Sequence, residues 1–232
     1  MASKNIHLAI VIPVYNEGRV IKEVIDTIPK KIKGVNRISV IAVNDGSVDN
    51  SAEQIKKTGA CLISLPFNLG IGLATSTGME AGKILGADIL VTMDGDGQHD
   101  PRDIPKLIAP ILLDSYDLAI GARLINRNDM PQVKKFGNWL MDAITYIFSG
   151  IWIKDSQSGM KALSKKALNA IEIKTSGYEL CSEIIILAKK EKLKITEVPI
   201  KTIYSTHSMK KGQSPLNGLN IALKLLYKKI GG

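Results

Sequence analysis

The chain has 232 residues, 45% of them hydrophobic, enough to bury a proper core. Lys and Arg number 31 against 22 Asp and Glu, and the net charge of +9 points to an anionic partner: nucleic acid, a phosphorylated small molecule or an anionic membrane surface. Aromatics at 5% are too few for a protein that stacks single-stranded bases, and no apolar run reaches the ~18 residues of a membrane span, so nucleic acid and an integral membrane protein are set aside.

In chain order, short apolar runs alternate with segments of helical period. Residues 8–14 (LAIVIPV) predict a strand and 18–30 an amphipathic helix. The pairing repeats with 38–44 and 50–59, with 61–66 and 70–86, and with 88–93 and 101–115, the last helix opened by Pro101; 117–123 predicts a fifth strand. This alternation predicts an α/β fold, a mostly parallel sheet with helices on both faces, whose ligands bind outside the carboxyl ends of the strands. Beyond it, residues 132–153 are long, apolar and aromatic, and 155–171 carry no assignment. Residues 177–193 predict a helix, 194–205 a strand, 206–213 a basic loop and 214–230 a terminal helix. With no repeat and no low-complexity linker, one continuous domain over 1–232 is expected. Cys61 and Cys181 stand in apolar stretches without a CxxC neighbour and read as reduced core residues of a cytosolic protein. The apolar run 8–14 is too short to span a bilayer and no small-residue cleavage site follows, so a protein that at most lies on a membrane is expected.

The unusual polar clusters fall at the predicted carboxyl ends: PVYNEG after the first strand, NDGSVDNS after the second, MDGDGQHD after the fourth, GARLINRNDMP after the fifth. In MDGDGQHD, residues 93–100, Asp94, Asp96 and Gln98 stand at every second position. If the strand continues outward they share a face and offer three oxygens to Mg²⁺ or Mn²⁺, with positions left for substrate phosphate. The competing reading is a solvated acidic turn, in which Asp100 caps the helix beginning at Pro101. His99 is a further ligand, a donor to substrate or a structural group. Asp45 reads either as an ordinary strand-end turn or as an acceptor for a nucleobase edge. Pro13, Tyr15 and Glu17 would form a wall with it on adjacent strand ends. Glu179 and Glu183 lie one helical turn apart and read as a solvated pair or as the rim of an acceptor site.

Eight segments occur in the order and spacing of the family 2 glycosyltransferases: IVIPVYNEGRVIKEVI, VNDGSVDNS, NLGIGLATSTGMEAG, VTMDGDGQHDP, GAR, DSQSGMKAL, GYELCSEI and ITEVPI. Within that family the chain resembles the dolichyl- or polyprenyl-phosphate sugar synthases, from about Ala9 to about Tyr204. The resemblance implies a GT-A fold with a nucleotide-sugar-binding half, 1–122, and an acceptor and membrane-facing half, 123–232. It implies a GDP- or UDP-hexose donor (mannose or glucose), a divalent cation, inversion at the anomeric carbon and a polyprenyl phosphate acceptor. Carried over by position, Pro13, Tyr15, Glu17 and Asp45 line the nucleoside pocket, and Asp94, Asp96 and Gln98 match the metal-binding segment. Arg123 matches a basic residue at the reaction centre. Lys134 or Lys135 stands where the relatives keep an arginine for the acceptor phosphate, with Asn138 one turn on; lysine keeps the charge but gives up bidentate recognition. His207, Lys210 and Lys211 are the substitutes on offer in the donor-clamping loop.

A lipid phosphate is already anionic, so its attack needs positioning and charge screening more than a base; Arg123 with Lys134 or Lys135 would supply both. Asp155 is the base if one is used, and a turn residue otherwise. A polyprenyl acceptor needs a membrane. Phe136, Trp139, Leu140, Ile144, Ile147, Phe148, Ile151 and Trp152 would give an interfacial contact, or else pack a core helix. Leu223, Leu226 and Ile230, interleaved with Lys224, Lys228 and Lys229, offer a second such surface. The location implied is the cytoplasmic face of a membrane, peripherally bound. Two alternatives stand beside this reading: a transferase acting on a saccharide or protein hydroxyl, and a catalytically silent nucleotide-binding module.

Overall fold

The structure is a computed structural model and describes residues 5–123 and 132–203, with the backbone alone over 132–136. Seven strands form one sheet in the order β3-β2-β1-β4-β6-β5-β7. They are β1 (His7–Val14), β2 (Arg37–Asp45), β3 (Cys61–Leu65), β4 (Ile89–Thr92), β5 (Leu118–Ala122), β6 (Lys161–Ser164) and β7 (Ile195–Pro199). The helices are α1 (Ile21–Asp26), α2 (Ser51–Lys56), α3 (Ile71–Ile84), α4 (Ile104–Leu113), α5 (Gln132–Ser149), α6 (Lys165–Ala170) and α7 (Leu180–Lys190). A single 3₁₀ turn, Pro101–Asp103, leads into α4.

β1 shows why the first half reads so plainly. Every residue from Leu8 to Ile12 is inaccessible to solvent, because helices cover both faces of the sheet. Its side chains alternate between two cores. Leu8, Ile10 and Ile12 join Ile21 and Val24 of α1 and Ile104, Leu107 and Ile108 of α4. Ala9 and Val11 join Ala74 and Met79 of α3 and Ile184 and Ile185 of α7. Each buried Ile or Leu stabilises the fold by roughly 1.5–3 kcal/mol before entropy is counted.

β1, β2, β3 and β4 run parallel, and β5 pairs in parallel with β7. β6 lies between β4 and β5 and is antiparallel to both. It falls inside the stretch left without assignment. Its last residue, Ser164, also caps α6 by accepting a hydrogen bond from the Ala167 amide, so strand passes into helix with no turn between. Because β6 reverses direction, the carboxyl ends of β1, β2, β4 and β5 still share one edge, and the chain enters β6 from that same edge. Cys181 is buried as expected, but Cys61 is exposed, because β3 is the sheet's outer strand and presents it to solvent.

Candidate active site

The carboxyl edge is built from loops that hold one another. Asn16, at φ 55°, donates its amide to Ser47 Oγ (2.9 Å), and its side-chain oxygen accepts from the Val48 amide (2.9 Å). The Glu17 amide donates to Ser51 Oγ (2.8 Å) and the Gly18 amide to Asp49 (2.9 Å). Four short polar side chains thereby join the β1–α1 loop to the β2–α2 loop. Pro13 and Val14 pair with Val43 and Asn44 across the two strands, which puts Pro13, Tyr15, Glu17 and Asp45 on neighbouring strand ends. Glu17 is buried and Tyr15 is exposed.

Asp45 accepts from the amides of Leu69 (2.7 Å) and Gly70 (3.0 Å), at the entry to α3. Those two bonds anchor the 66–70 loop, which lays the Phe67 backbone along the Asp45–Gly46 turn and leaves that residue 63% exposed. Gly70 has φ 97°, and a Cβ there would meet the Ser176 carbonyl at 2.3 Å, so the 172–177 loop lies directly on the start of α3. That loop is held from behind by Glu183, which accepts from the amides of Lys174 (3.2 Å) and Thr175 (3.0 Å) and from Thr175 Oγ1 (2.6 Å). Glu179 and Glu183 are both buried, so the solvated pair is ruled out, and Glu183 is committed to the loop rather than to a rim.

β4 ends at Thr92, and residues 95–97 turn instead of continuing the strand, with Gly97 at φ 78°. The alternation that would put Asp94, Asp96 and Gln98 on one strand face therefore does not apply; the turn gathers them instead. Gln98 donates its amide to Asp96 Oδ1 (2.9 Å) and its side-chain nitrogen to Oδ2 (2.5 Å), orienting that carboxylate. Asp94 lies against Gly159, where a Cβ would stand 2.3 Å from Oδ2. Burial raises the pKa of both carboxyls; at Asp96 the charge of Asp94 adds to it. His99 is buried, and desolvation lowers its pKa to about 4, so it is a neutral imidazole at pH 7, with Nδ1 3.6 Å from Asp94 Oδ2. Asp100 caps the 3₁₀ turn through the Arg102 amide (3.0 Å). Residue 99 also bridges to Thr202, and the Ile203 amide donates to the Gln98 carbonyl (2.9 Å), so residues 202–203 lie beside this turn.

Arg123 follows β5 and grips Asp155 by three bonds: Nε to Oδ2 (2.7 Å), Nη2 to Oδ1 (2.7 Å) and the backbone amide to Oδ2 (2.8 Å). Burial alone would raise the Asp155 pKa, but the guanidinium overrides it and holds the carboxyl below its ordinary value. Asp155 is thus a poor base, and Arg123 is a cation with one side already committed. Behind them stands Lys161, buried in β6, which the sequence reading passed over because a lysine there interrupts the apolar pattern of a strand. The carboxyl groups of Glu17, Asp94, Asp96 and Asp155 thus outnumber the basic side chains of Arg123 and Lys161 around this turn. Among the described residues no three His, Cys, Asp or Glu side chains converge as a closed cage. A pair of neighbouring carboxyl groups is the donor set of an Mg²⁺ or Mn²⁺ that completes its shell with substrate oxygens, and a bound cation would favour their ionised form. The residues present fit that group.

Lys134 and Lys135 lie in the first turn of α5, their side chains outside the described residues, and Asn138 follows one turn on. His207, Lys210, Lys211 and the terminal helix also lie outside the described residues. Tyr178 was missed: it is half-exposed beside the carboxylates, and burial and the negative charges of Asp94, Asp96 and Glu17 raise its pKa.

The sequence model of Glycosyl transferase family 2 matches residues 9–171. The chain is a family 2 glycosyltransferase. Its relatives include the UDP-N-acetylglucosamine–dolichyl-phosphate N-acetylglucosaminyltransferase of Methanococcus voltae, 40% identical over 253 aligned positions that span 100% of this chain and 98% of that one. The dolichol-phosphate mannosyltransferase of Pyrococcus furiosus is 29% identical over 92% of this chain and 60% of its own length. Among solved structures, the glucosyl-3-phosphoglycerate synthase of Mycobacterium tuberculosis, in complex with Mn²⁺, UDP and glucosyl-3-phosphoglycerate, superposes with a TM-score of 0.72 at 21% identity. That match covers 97% of this chain and 79% of that one, and shows this glycosyltransferase to have the GT-A fold.

Proposed function

We propose that this glycosyltransferase moves a sugar, with inversion, from a nucleoside diphosphate sugar to a dolichyl or other polyprenyl phosphate. The observation that carries the choice of acceptor is the Arg123–Asp155 pair. A hydroxyl acceptor would require a base, and the candidate for that role is bound on both oxygens by Arg123. A phosphate monoester is anionic at pH 7 and needs none. The Methanococcus voltae enzyme named for such an acceptor aligns along the whole chain, and supports the same reading. Its donor makes UDP-N-acetylglucosamine the first sugar to test, ahead of GDP-mannose and UDP-glucose.

In this reading Pro13, Tyr15, Glu17 and Asp45 form the nucleoside wall, and the exposed rings of Tyr15 and Phe67 offer apolar faces to the base. Asp94 and Asp96, with Gln98 fixing Asp96, hold Mg²⁺ or Mn²⁺. A bound divalent cation would neutralise charge on the departing nucleoside diphosphate. Arg123 screens the incoming phosphate, and Lys134, Lys135 and Asn138 take the acceptor.

The acceptor sits in a bilayer, and α5 has the surface to meet one. Its buried side carries polar groups: Asp142 accepts from the Ser156 amide (2.9 Å) and Oγ (2.7 Å), and Thr145 shares a hydrogen bond with Ser182 (2.8 Å). Its outer side carries Trp139, Tyr146 and Ile147, 51%, 47% and 67% exposed. Ile144 and Phe148 instead pack on Met141. Trp152 meets Tyr146 edge to face and opens a groove of about 620 Å³ shared with Lys189, Lys190 and Lys192. Apolar rings with a lysine border suit the interface of an anionic membrane. No helix among the described residues is long and apolar enough to cross one.

Thermal unfolding with UDP, GDP and their sugar derivatives, each with and without Mn²⁺, tests the donor, because a ligand of the native state raises its stability by mass action. A metal-dependent rise with one nucleotide, lost in Asp96→Ala, is expected. Sugar transfer to a short polyprenyl phosphate then tests the acceptor. Donor binding with transfer only to saccharide or protein hydroxyls would overturn that part, and no response to any nucleotide would overturn the whole.

A further inference from the structure

Lys161 is 1% exposed and, among the described residues, heads the fully buried side chains in size. It pairs with Thr92 across β4 and β6, two residues short of Asp94. Its ammonium turns back and donates to the Ser158 carbonyl. The next residue, Gly159, is the one against which the Asp94 carboxylate lies, and its carbonyl accepts from Thr92 Oγ1 (2.9 Å). Ammonium and carboxylate therefore rest on adjacent peptide units, the ammonium out of water and the carboxylate one-third exposed. The near partners of the ammonium are a carbonyl and the Cys181 thiol, neither of which cancels its charge, so its field falls on Asp94, Asp155 and His99.

An ammonium costs free energy to bury, and at this position it cannot reach substrate. What it can do is act on whatever charge the carboxylates gather. We propose that Lys161 is a positioning residue that sets the strength of the divalent-cation site: its buried positive charge weakens binding of the cation to the bare Asp94–Asp96 pair, so that the cation is held firmly only together with the nucleoside diphosphate. This rests on the reading that Asp94 and Asp96 take a divalent cation. Two like charges a few ångströms apart in a medium less polar than water repel strongly, and phosphate oxygens supply the compensating negative charge. A site tuned this way binds donor and cation as a unit and lets them leave as one.

The test is Mn²⁺ binding, followed by the electron paramagnetic resonance of free Mn²⁺ at about pH 8, well above ordinary carboxylate pKa values. Wild type is measured with and without UDP, then Lys161→Met and Lys161→Gln, the second keeping a donor for the Ser158 carbonyl. Wild type should bind Mn²⁺ at least tenfold more tightly with UDP than without. Either folded variant should bind Mn²⁺ without UDP at least tenfold more tightly than wild type does, and lose most of the dependence on UDP. Simple damage to the site would move affinity the other way. Unchanged or weaker Mn²⁺ binding in a folded variant overturns the proposal, and so does wild-type binding that UDP does not strengthen. Wild-type protein that binds no Mn²⁺ in either condition overturns the cation-site reading itself.

Discussion

Arg123 and Asp155 stand 32 positions apart in the chain and meet through two parallel side-chain bonds of 2.7 Å each, reinforced by the Arg123 amide. The pair ties the end of β5 to the segment that re-enters the sheet as β6. It fixes the guanidinium in one orientation, which is what a group that screens a reacting phosphate requires.

Breaking this pair should cost stability as well as activity. Asp155→Asn leaves a nearly buried guanidinium without its counter-charge, and a loss of about 3 kcal/mol at pH 7 is expected. The folded-state pKa of Asp155 lies below its unfolded value of about 4, so this contribution is present above about pH 4 and disappears as pH falls through the folded value. Urea unfolding of both proteins should therefore show a gap at pH 7 that closes in acid.

His99 should give the apoprotein a second, separate pH dependence. Its folded pKa of about 4 lies below the ~6.5 of the unfolded chain, so between these values the unfolded state binds the extra proton. Stability should fall by ~2–3 kcal/mol as pH drops from about 6.5 to about 4. His99→Gln should lose that contribution, and the difference between the two proteins across this range in a series of melts in metal-free buffer would show it.

Lys134→Ala with Lys135→Ala should raise the KM for polyprenyl phosphate by an order of magnitude or more while the thermal shift with donor stays unchanged. Loss of donor binding instead would put the two lysines in the other subsite.

Replacing Trp139, Ile147 and Trp152 with Ser should reduce sedimentation with anionic vesicles severalfold. Because all three are exposed, the melting behaviour should hardly change, each contributing within about 0.5 kcal/mol. A large drop in stability would mean that the face is packed within the protein.

The first half was legible because strands buried on both faces are continuous apolar runs, and because turn residues cluster at their carboxyl ends. β6 was not. It is four residues long, it opens with a buried lysine, and its last residue begins a helix, so neither period two nor an apolar run marks it. Within the site, the residue types were readable and their partners were not. Arg123 and Asp155 each stood out, but nothing local shows that they bind each other. Asp45 read as a strand-end acceptor, yet two of its bonds go to amides that only the folded 66–70 loop brings near. Asp94, Asp96 and Gln98 read as one strand face, whereas Gly97 at φ 78° closes the turn that gathers them. On α5 the pattern was ambiguous because polar groups face inward there and aromatic ones outward.

The reversed strand also constrains the order in which a ribosome can deliver this protein. β4 is complete once residue 92 has emerged, but the neighbour that covers its open edge arrives only with residues 161–164. Until then the nascent first half carries a bare, apolar sheet margin beside Asp94. A fragment ending near residue 122 would keep that margin permanently and should self-associate.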